Sequence, residues 1–347
     1  MRDDPGTSPQ FIKLPSLIFA SPLFVPECFR LSTSYSRNEG RGKAFMSHSG
    51  GSVKAIMYAL GANLGIALAK GFAAWFTRSG AMLAEAIHSF ADSANQILLL
   101  VGLSRAKLPA SEDHPLGYGK AIYFWSFIVA LMLFSMGGIF SVYEGVHKLI
   151  RPEMPRSPWV AVAVLAVSMV LEIVSLRGAL VEVKRVQGGS TLLQWFKKSR
   201  QSELIVVVGE DIAALLGLFL AFVAVLATIV TANPVYDALG TIAIGVVLIL
   251  VAAVVGIEVK SLLLGESADP ETVTALRSFL SGQPEVSKVY NLITLQLGLD
   301  LMVAAKVEMR ETTSPAGLIE DINRVEAELK KAFPQVRFCF FEPDIKD

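Results

Sequence analysis

The sequence predicts a membrane protein, with an α-helical bundle of six transmembrane helices followed by a small α+β domain of ferredoxin-like type in the order α-β-β-α-β. Three observations support this fold class. The 347 residues are 53% hydrophobic and have a mean hydropathy of +0.53, which is too apolar for an ordinary soluble protein. The apolar residues fall into stretches of about 20 or more, enough to cross a bilayer. After the last stretch the composition changes abruptly to that of a soluble domain.

The composition also excludes several classes of function. The formal net charge is zero and no basic block carries interleaved aromatic residues, so we expect no nucleic-acid partner. Cys28 and Cys339 are the only cysteines and lie far apart, which argues against a disulfide framework and against a cysteine-rich metal site. The sequence has no HExxH, no GxSxG and no phosphate-cradling glycine loop, so we expect neither an enzyme nor an organic cofactor.

Residues 1–52 differ from the rest of the chain. They are rich in Pro, Ser, Gly and Arg, and their short apolar patch, residues 17–25, is interrupted by Pro22 and too short to span a membrane. We therefore expect a disordered N-terminal tail, with Met46 as an alternative start.

Six membrane spans follow in the predicted transmembrane domain, residues 53–262. They are predicted at residues 53–77, 80–103, 121–145, 158–182, 203–231 and 235–261. Most lysines and arginines of the connecting segments fall on one side, and the segment of residues 187–201 is the most basic. By the positive-inside rule both termini are cytoplasmic, or on the equivalent side of an organelle.

Residues 263–347 form the predicted cytosolic domain. Asp269 and Pro270 have the residue types of a helix cap and first turn, so a helix is expected over residues 269–282. Strands are predicted at residues 286–297, 300–310 and 336–342, the second from the alternation of Leu301, Val303, Ala305, Val307 and Met309. Apolar residues at helical spacing predict a second helix over residues 315–333.

Ionisable residues inside the predicted spans mark where the chemistry lies. They are Lys70, Glu85, His88, Asp92, Glu172, Glu210 and Asp211. Each charged side chain at mid-bilayer costs about 2.5 to 3.5 kcal/mol on insertion scales, so these residues are expected to face the protein interior or water.

His88 and Asp92 are the strongest candidates for metal ligands. They are four residues apart, so an imidazole nitrogen and a carboxylate oxygen project from neighbouring turns of one helix. Two ligands do not complete a site, and Asp211 is the best source of a third, with Glu210 either a fourth ligand or a proton carrier. Nitrogen and oxygen ligands without thiolates suit Zn²⁺, and also Co²⁺, Fe²⁺ or Mn²⁺.

Two further acids have alternative interpretations. Glu85 lies on the face of His88 and Asp92, within about 60° of both, and is expected to line a water path. Glu172 and Lys70 are interpreted as an internal ion pair.

The motifs AEAIHSFAD (residues 84–92) and GEDIAALLG (residues 209–217) together resemble the cation diffusion facilitator family. Further matches are HPLGYGK at residues 114–120, NPVYDALGTIAIG at 233–245 and LLLGES at 262–267. The resemblance is greatest to the branch that contains the mitochondrial zinc transporter, and it covers residues 53–347.

The resemblance implies a transport site with one ligand pair on the second span and another on the fifth. His88 and Asp92 match the first pair and Asp211 matches the last aspartate, but Val207 occupies the position of a histidine. The named branch shares this departure, and its Glu-Asp pair resembles Glu210 and Asp211. The family's cytosolic domain implies a homodimer, although metal regulation through it is not expected here, because no histidine follows His147.

We therefore expect a secondary transporter that exports a divalent metal cation, zinc above all, from the cytoplasm in exchange for protons. The alternative is a membrane-anchored metal-sensing or interaction protein without transport activity, which the loss of histidine at Val207 favours. The partners are the metal ion, protons and the lipid bilayer. A bacterial plasma membrane is the first expected location and a mitochondrial inner membrane the second.

Overall fold

The structure is a computed structural model. It describes residues 42–77, 80–152, 154, 158–187, 189, 191–311 and 314–346, with the side chains of residues 42–51, 73–74, 76–77, 80–88 and 91 left undescribed.

The membrane part of the chain is built from long helices. They are α1 (Gly42–Thr77), α2 (Gly80–Ala106), α3 (Ala121–Met132), a π-helical segment (Leu133–Ile139), α4 (Phe140–Ile150), α5 (Pro158–Val186), α6 (Leu192–Lys198), α7 (Ser202–Thr231) and α8 (Val235–Leu264). The π-helical segment joins α3 and α4 into one continuous helical rod. The short α6, which begins with a capping box between Thr191 and Gln194, was not expected from the sequence.

Five helical stretches in the described part of the chain are long and apolar enough to cross a membrane. They are Ser52–Phe72, Ala121–Ile150, Pro158–Val186, Ser202–Thr231 and Val235–Leu264. The remaining predicted span coincides with the 27-residue helix α2, whose first half has side chains outside the described set. The membrane location of the domain is thus supported, and the count of six spans stays a prediction.

Helix α1 begins at Gly42, inside the segment predicted to be a disordered tail. Residues 43–52 contain no proline, and Lys43, Ala44 and Met46 are good helix formers, so this stretch can extend the first span toward its N-terminus. The rest of the predicted tail, residues 1–41, lies outside the described residues.

The first half of α7 forms the centre of the membrane domain. Residues Leu204 to Val208 are buried without interruption, in a cluster that includes Ile56 of α1, Leu99 of α2 and Val259 of α8. Helix α7 therefore has neighbours all around it at this end, which explains why apolar residues occupy every side of it.

The soluble part has the predicted order of elements. Helix α9 (Pro270–Ser281) is followed by β1 (Val286–Leu297), β2 (Asp300–Met309), α10 (Pro315–Ala332) and β3 (Val336–Pro343). Asp269 caps α9 by accepting a hydrogen bond from the backbone N–H of Thr272, as its position predicts.

Strands β1 and β2 are antiparallel, and β2 and β3 are parallel, in a sheet of order β1-β2-β3. Leu301, Val303, Ala305 and Val307 are buried on one face against Leu276, Leu280, Val325 and Leu329 of the helices. The alternation predicted for β2 is confirmed. The mixed sheet fits the α+β class, while its assignment to the ferredoxin-like type stays a prediction.

Cys339 on β3 is half-buried beside this core. Burial, with a smaller contribution from Glu326, raises the pKa of its thiol to about 12. The thiol is therefore protonated at neutral pH.

The turn between β1 and β2 docks against the start of α3. The buried hydroxyl of Tyr123 accepts a hydrogen bond from the Gly298 N–H at 3.1 Å and donates one to the Gly298 carbonyl at 3.3 Å. Gly298 has a φ of +69°, a conformation that favours glycine, and its backbone lies against that of Gly119. The soluble domain is thus held against the membrane domain through backbone contacts.

Candidate functional site

Polar side chains from four helices converge inside the membrane domain. All of them are buried, with exposed fractions below one-tenth, and they come from α1, α2, α5 and α7. They are Asn63, Lys70, Ser89, Ser93, Asn95, Gln96, Ser168, Glu172, Ser175, Glu210 and Asp211. Such a cluster at membrane depth is expensive to maintain, so it indicates a functional site.

Glu210 is held by two amide side chains of α2. Asn95 Nδ2 donates to Glu210 Oε1 at 2.9 Å, and Gln96 Nε2 donates to Glu210 Oε2 at 2.7 Å. The Gln96 carbonyl in turn accepts a hydrogen bond from Asn63 Nδ2 of α1 at 3.3 Å. Because each carboxylate oxygen has two lone pairs, this clamp fixes the orientation of Glu210 and leaves each oxygen able to accept a further ligand.

Asp211 faces a different neighbour. The hydroxyl of Ser175 on α5 donates to Asp211 Oδ2 at 3.0 Å, and the carboxyl of Glu172 is within hydrogen-bonding reach of Asp211. Two carboxyl groups share a hydrogen bond only when one of them holds a proton. The pair therefore combines a potential metal ligand with a potential proton site.

Glu172 is more central than the sequence suggested. It lies within electrostatic range of Asp92, Glu210 and Asp211, and also of Lys70. The Lys70 ammonium also donates a hydrogen bond to the hydroxyl of Ser89 at 3.0 Å, and the predicted ion pair with Glu172 stays a prediction. Glu172 thus belongs to the acidic cluster, in addition to the ion pair proposed for it from the sequence.

Asp92 is half-buried on α2, one turn before the two amides that hold Glu210, and lies within electrostatic range of Glu210. The side chains of His88 and Glu85 lie outside the described set, so neither the metal-ligand role of His88 nor the water-path role of Glu85 is tested. Helix α2 does carry His88 four residues before Asp92, the spacing at which two side chains reach one ion.

The described side chains alone do not complete a metal site. Among them, no three His, Cys, Asp or Glu groups lie close enough together to hold a metal ion. Val207 is fully buried in the apolar cluster around α7 and offers no ligand. The four-ligand set of His88, Asp92, Glu210 and Asp211 therefore stays a prediction.

Sequence reasoning missed the amides. Asn95 and Gln96 follow Asp92 by three and four residues, so they share its face of α2, and this spacing could have identified them.

Comparison with known proteins gives matches across the membrane domain. The family model of the cation efflux transmembrane domain matches residues 56–264. The protein "Proton-coupled zinc antiporter SLC30A9, mitochondrial" of Mus musculus is 35% identical over 231 residues, which are 66% of this chain and 41% of that protein. The Homo sapiens protein of the same name is also 35% identical, with the same coverage.

More distant relatives include a plant and a bacterial protein. Metal tolerance protein C4 of Arabidopsis thaliana is 32% identical over 223 residues, which are 63% of this chain and 49% of that protein. Cation-efflux pump FieF of Cronobacter sakazakii is 27% identical over 267 residues, which are 76% of this chain and 83% of the pump. The chain thus spans less than half the length of the mammalian relatives, and most of the bacterial one.

Proposed function

The chain belongs to the cation efflux family, near the branch of the mitochondrial zinc antiporter, and we propose that it exports zinc or a similar divalent cation from the cytoplasm in exchange for protons. The observation that carries this proposal is the buried acidic cluster at membrane depth, in which Glu210 is clamped by Asn95 and Gln96. A protein that served only as an anchor would gain nothing from burying these acids.

We propose His88, Asp92, Asp211 and Glu210 as the ligands of the transported ion. One imidazole and three carboxylates suit Zn²⁺ and also Co²⁺, Fe²⁺ or Mn²⁺. Glu210 supplies the ligand that Val207 cannot, and its clamp on α2 holds it on the side of the helix that faces Asp92.

Proton exchange follows from the chemistry of these ligands. Metal binds when the imidazole is neutral and the carboxylates are ionised, so protons that enter from the outer side compete with the metal and promote its release. The adjacent carboxyl groups of Glu172 and Asp211 give a place for such a proton beside the metal. Metal and proton then occupy the site in alternation as the helices rearrange.

Proteoliposomes with an acidic lumen test this function. Zinc added outside is expected to enter vesicles in which the cytoplasmic face points outward, and the lumen is expected to become more alkaline. His88→Ala and Asp92→Ala are each expected to lower the uptake rate by a hundredfold or more, since a three-ligand site holds the ion weakly. The matched control is Glu182→Gln, which alters a buried acid that pairs with Arg185 at 2.9 Å, away from the cluster.

Uptake by both alanine variants at the parental rate would show that this site is wrong. One observation favours the alternative of a metal-sensing or interaction protein, namely the buried Val207 in the place of a family histidine. If the parent protein binds zinc but moves neither zinc nor protons, this alternative replaces the transporter.

A further inference from the structure

A cavity lies where the ends of α2, α3 and α7 meet the turn between β1 and β2. Its polar and charged lining consists of Lys107, Arg200, Gln201, Glu203, Asp300 and Arg337. This end of the membrane domain is the predicted cytoplasmic one. Glu203 precedes Glu210 by seven residues on α7, so the cavity is about 10 Å along the helix axis from the candidate metal site.

Glu203 is a buried acid for which the described residues provide no basic partner. Its exposed fraction is 2%, and the hydroxyl of Ser52 donates to its Oε1 at 2.8 Å. An ionised carboxylate buried in this way, without a cation, is strongly disfavoured. Burial without a paired cation therefore favours the protonated form of Glu203 in this conformation.

The two arginines of the cavity are paired with other acids, and the described residues show no ion pair between Lys107 and Glu203. Arg200 pairs with Glu266 at 3.0 Å, and Arg337 pairs with Asp300 at 2.8 Å. The carboxamide oxygen of Gln201, two residues before Glu203, is buried and accepts no hydrogen bond from a described residue. The cavity thus has an acceptor ready for a hydrogen-bond donor beside a carboxyl group that can release a proton.

Glu203 also lies on the stripe of α7 that leads to the metal site. At about 100° per residue, positions 203, 207 and 210 fall within about 60° of one another. Val207 is the apolar residue between the two acids and is fully buried against the cluster that includes Leu99. This face of α7 therefore leads from the cavity to Glu210, and only the buried side chain of Val207 lies between the two acids along it.

We propose that Glu203 is a proton-carrying residue at the cytoplasmic end of the exchange pathway. This inference rests on the proposed function. When the bundle opens to the cytoplasm, the O–H bond of Glu203 breaks, the carboxylate keeps the electron pair, and the proton passes to cytoplasmic water through the cavity. A proton that arrives from the metal site then restores the neutral carboxyl group.

The titratable and charged groups around the cavity come from several elements. Tyr123 belongs to α3, Lys107 follows α2, and Arg200 precedes α7, while Asp300 and Arg337 come from the soluble domain. Opening of the cavity would change the distances between these charges and Glu203, and so would change the proton affinity of the Glu203 carboxylate.

Glu203→Gln is the decisive variant, because glutamine keeps the shape and can still accept the hydrogen bond from Ser52 but cannot release a proton. Zinc and proton fluxes are measured together in proteoliposomes with one dye for each. The number of protons moved per zinc ion is expected to fall by one, and the response of zinc uptake to pH on the cytoplasmic face is expected to weaken. Glu182→Gln is the matched control and is expected to keep the parental ratio.

A second measurement needs no transport. The infrared spectrum of the parent protein is expected to contain the C=O stretching band of a protonated carboxyl that Glu203→Gln lacks and Glu182→Gln keeps. Identical carboxyl bands in the parent and Glu203→Gln, or a parental proton-to-zinc ratio in that variant, overturn this inference. A parent protein that moves no zinc overturns the proposed function instead, whatever the infrared bands show.

Discussion

Two neutral side chains decide how the buried carboxylate of Glu210 behaves. The amides of Asn95 and Gln96 stabilise its ionised form without adding charge, whereas a lysine or arginine in their place would repel a divalent cation. Such residues orient a metal ligand from outside the coordination shell, and their loss in metal sites typically lowers affinity by about 10- to 100-fold. The same range applies here if Glu210 binds the transported ion.

Gln96→Leu tests whether Gln96 orients Glu210 as a metal ligand. Leucine preserves the apolar volume but frees Glu210 Oε2, so the dissociation constant for zinc is expected to rise about 10- to 100-fold. It is measured by competition with a zinc chelator on the purified protein. Ser168→Ala is the control, because the buried Ser168 hydroxyl has no partner among the described residues. Equal affinities in Gln96→Leu and Ser168→Ala would exclude Glu210 as a ligand.

At the scale of single residues, the sequence located the acids but not their partners. Glu210 and Asp211 were identifiable because charge at membrane depth is rare. Their hydrogen bonds run to α2 and α5, and the packing of one helix against another is not encoded in the period of either helix alone. The proximity of Glu172 to Asp211 was not predicted for the same reason.

Helices and strands were predicted more closely than side-chain contacts. The first and last residues of β1, and the start of α10, coincide with the predicted ones, because turn residues and alternation mark them directly. The π-helical segment Leu133–Ile139 was missed, since an additional residue per turn leaves an apolar composition unchanged. The early start of α1 was missed because glycine and serine near residue 50 resemble a tail.

The docking of the β1–β2 turn on α3 gives a prediction at the scale of elements. A Cβ atom on Gly119 would collide with the carbonyl group of Leu297, so Gly119→Ala forces the turn away from the membrane domain. The expected cost is about 1 to 3 kcal/mol, typical of overpacked sites, and is measured as a lower midpoint of thermal unfolding in detergent.

Gly256→Ala on α8 is the matched control for this change. No atom lies within 4 Å of the position that its Cβ would take, and alanine favours a helix over glycine by about 1 kcal/mol. Its midpoint is expected to stay the same or rise. A Gly119→Ala midpoint equal to that of Gly256→Ala would show that the turn is not held at this contact.

For the whole molecule, the family relationship expected from AEAIHSFAD and GEDIAALLG is confirmed by the match of residues 56–264 to the cation efflux transmembrane domain. These motifs sufficed because they combine rare charges with fixed spacing. The oligomeric state was expected from the resemblance alone and stays a prediction, as does the choice between a bacterial and a mitochondrial membrane.

The orientation of the chain is testable by thiol labelling. In a Cys28→Ser, Cys339→Ser background expressed in bacteria, Met154→Cys is expected to react with an impermeant maleimide in intact cells. Gln194→Cys is expected to react only after lysis, because it belongs to the basic segment that the positive-inside rule assigns to the cytoplasm. Labelling in the reverse order would invert the proposed direction of export.

The two adjacent carboxylates of α7 connect this helix to two different neighbouring helices. Glu210 is hydrogen-bonded to Gln96 of α2, and Asp211 is hydrogen-bonded to Ser175 of α5. A movement of α7 toward one of these helices would therefore lengthen the hydrogen bond to the other. Under the proposed function, an ion that drew Asp211 toward Asp92 would strain the hydrogen bond from Ser175, and a proton in place of the ion would relieve that strain. The position of α7 would then depend on whether the site holds a metal ion or a proton.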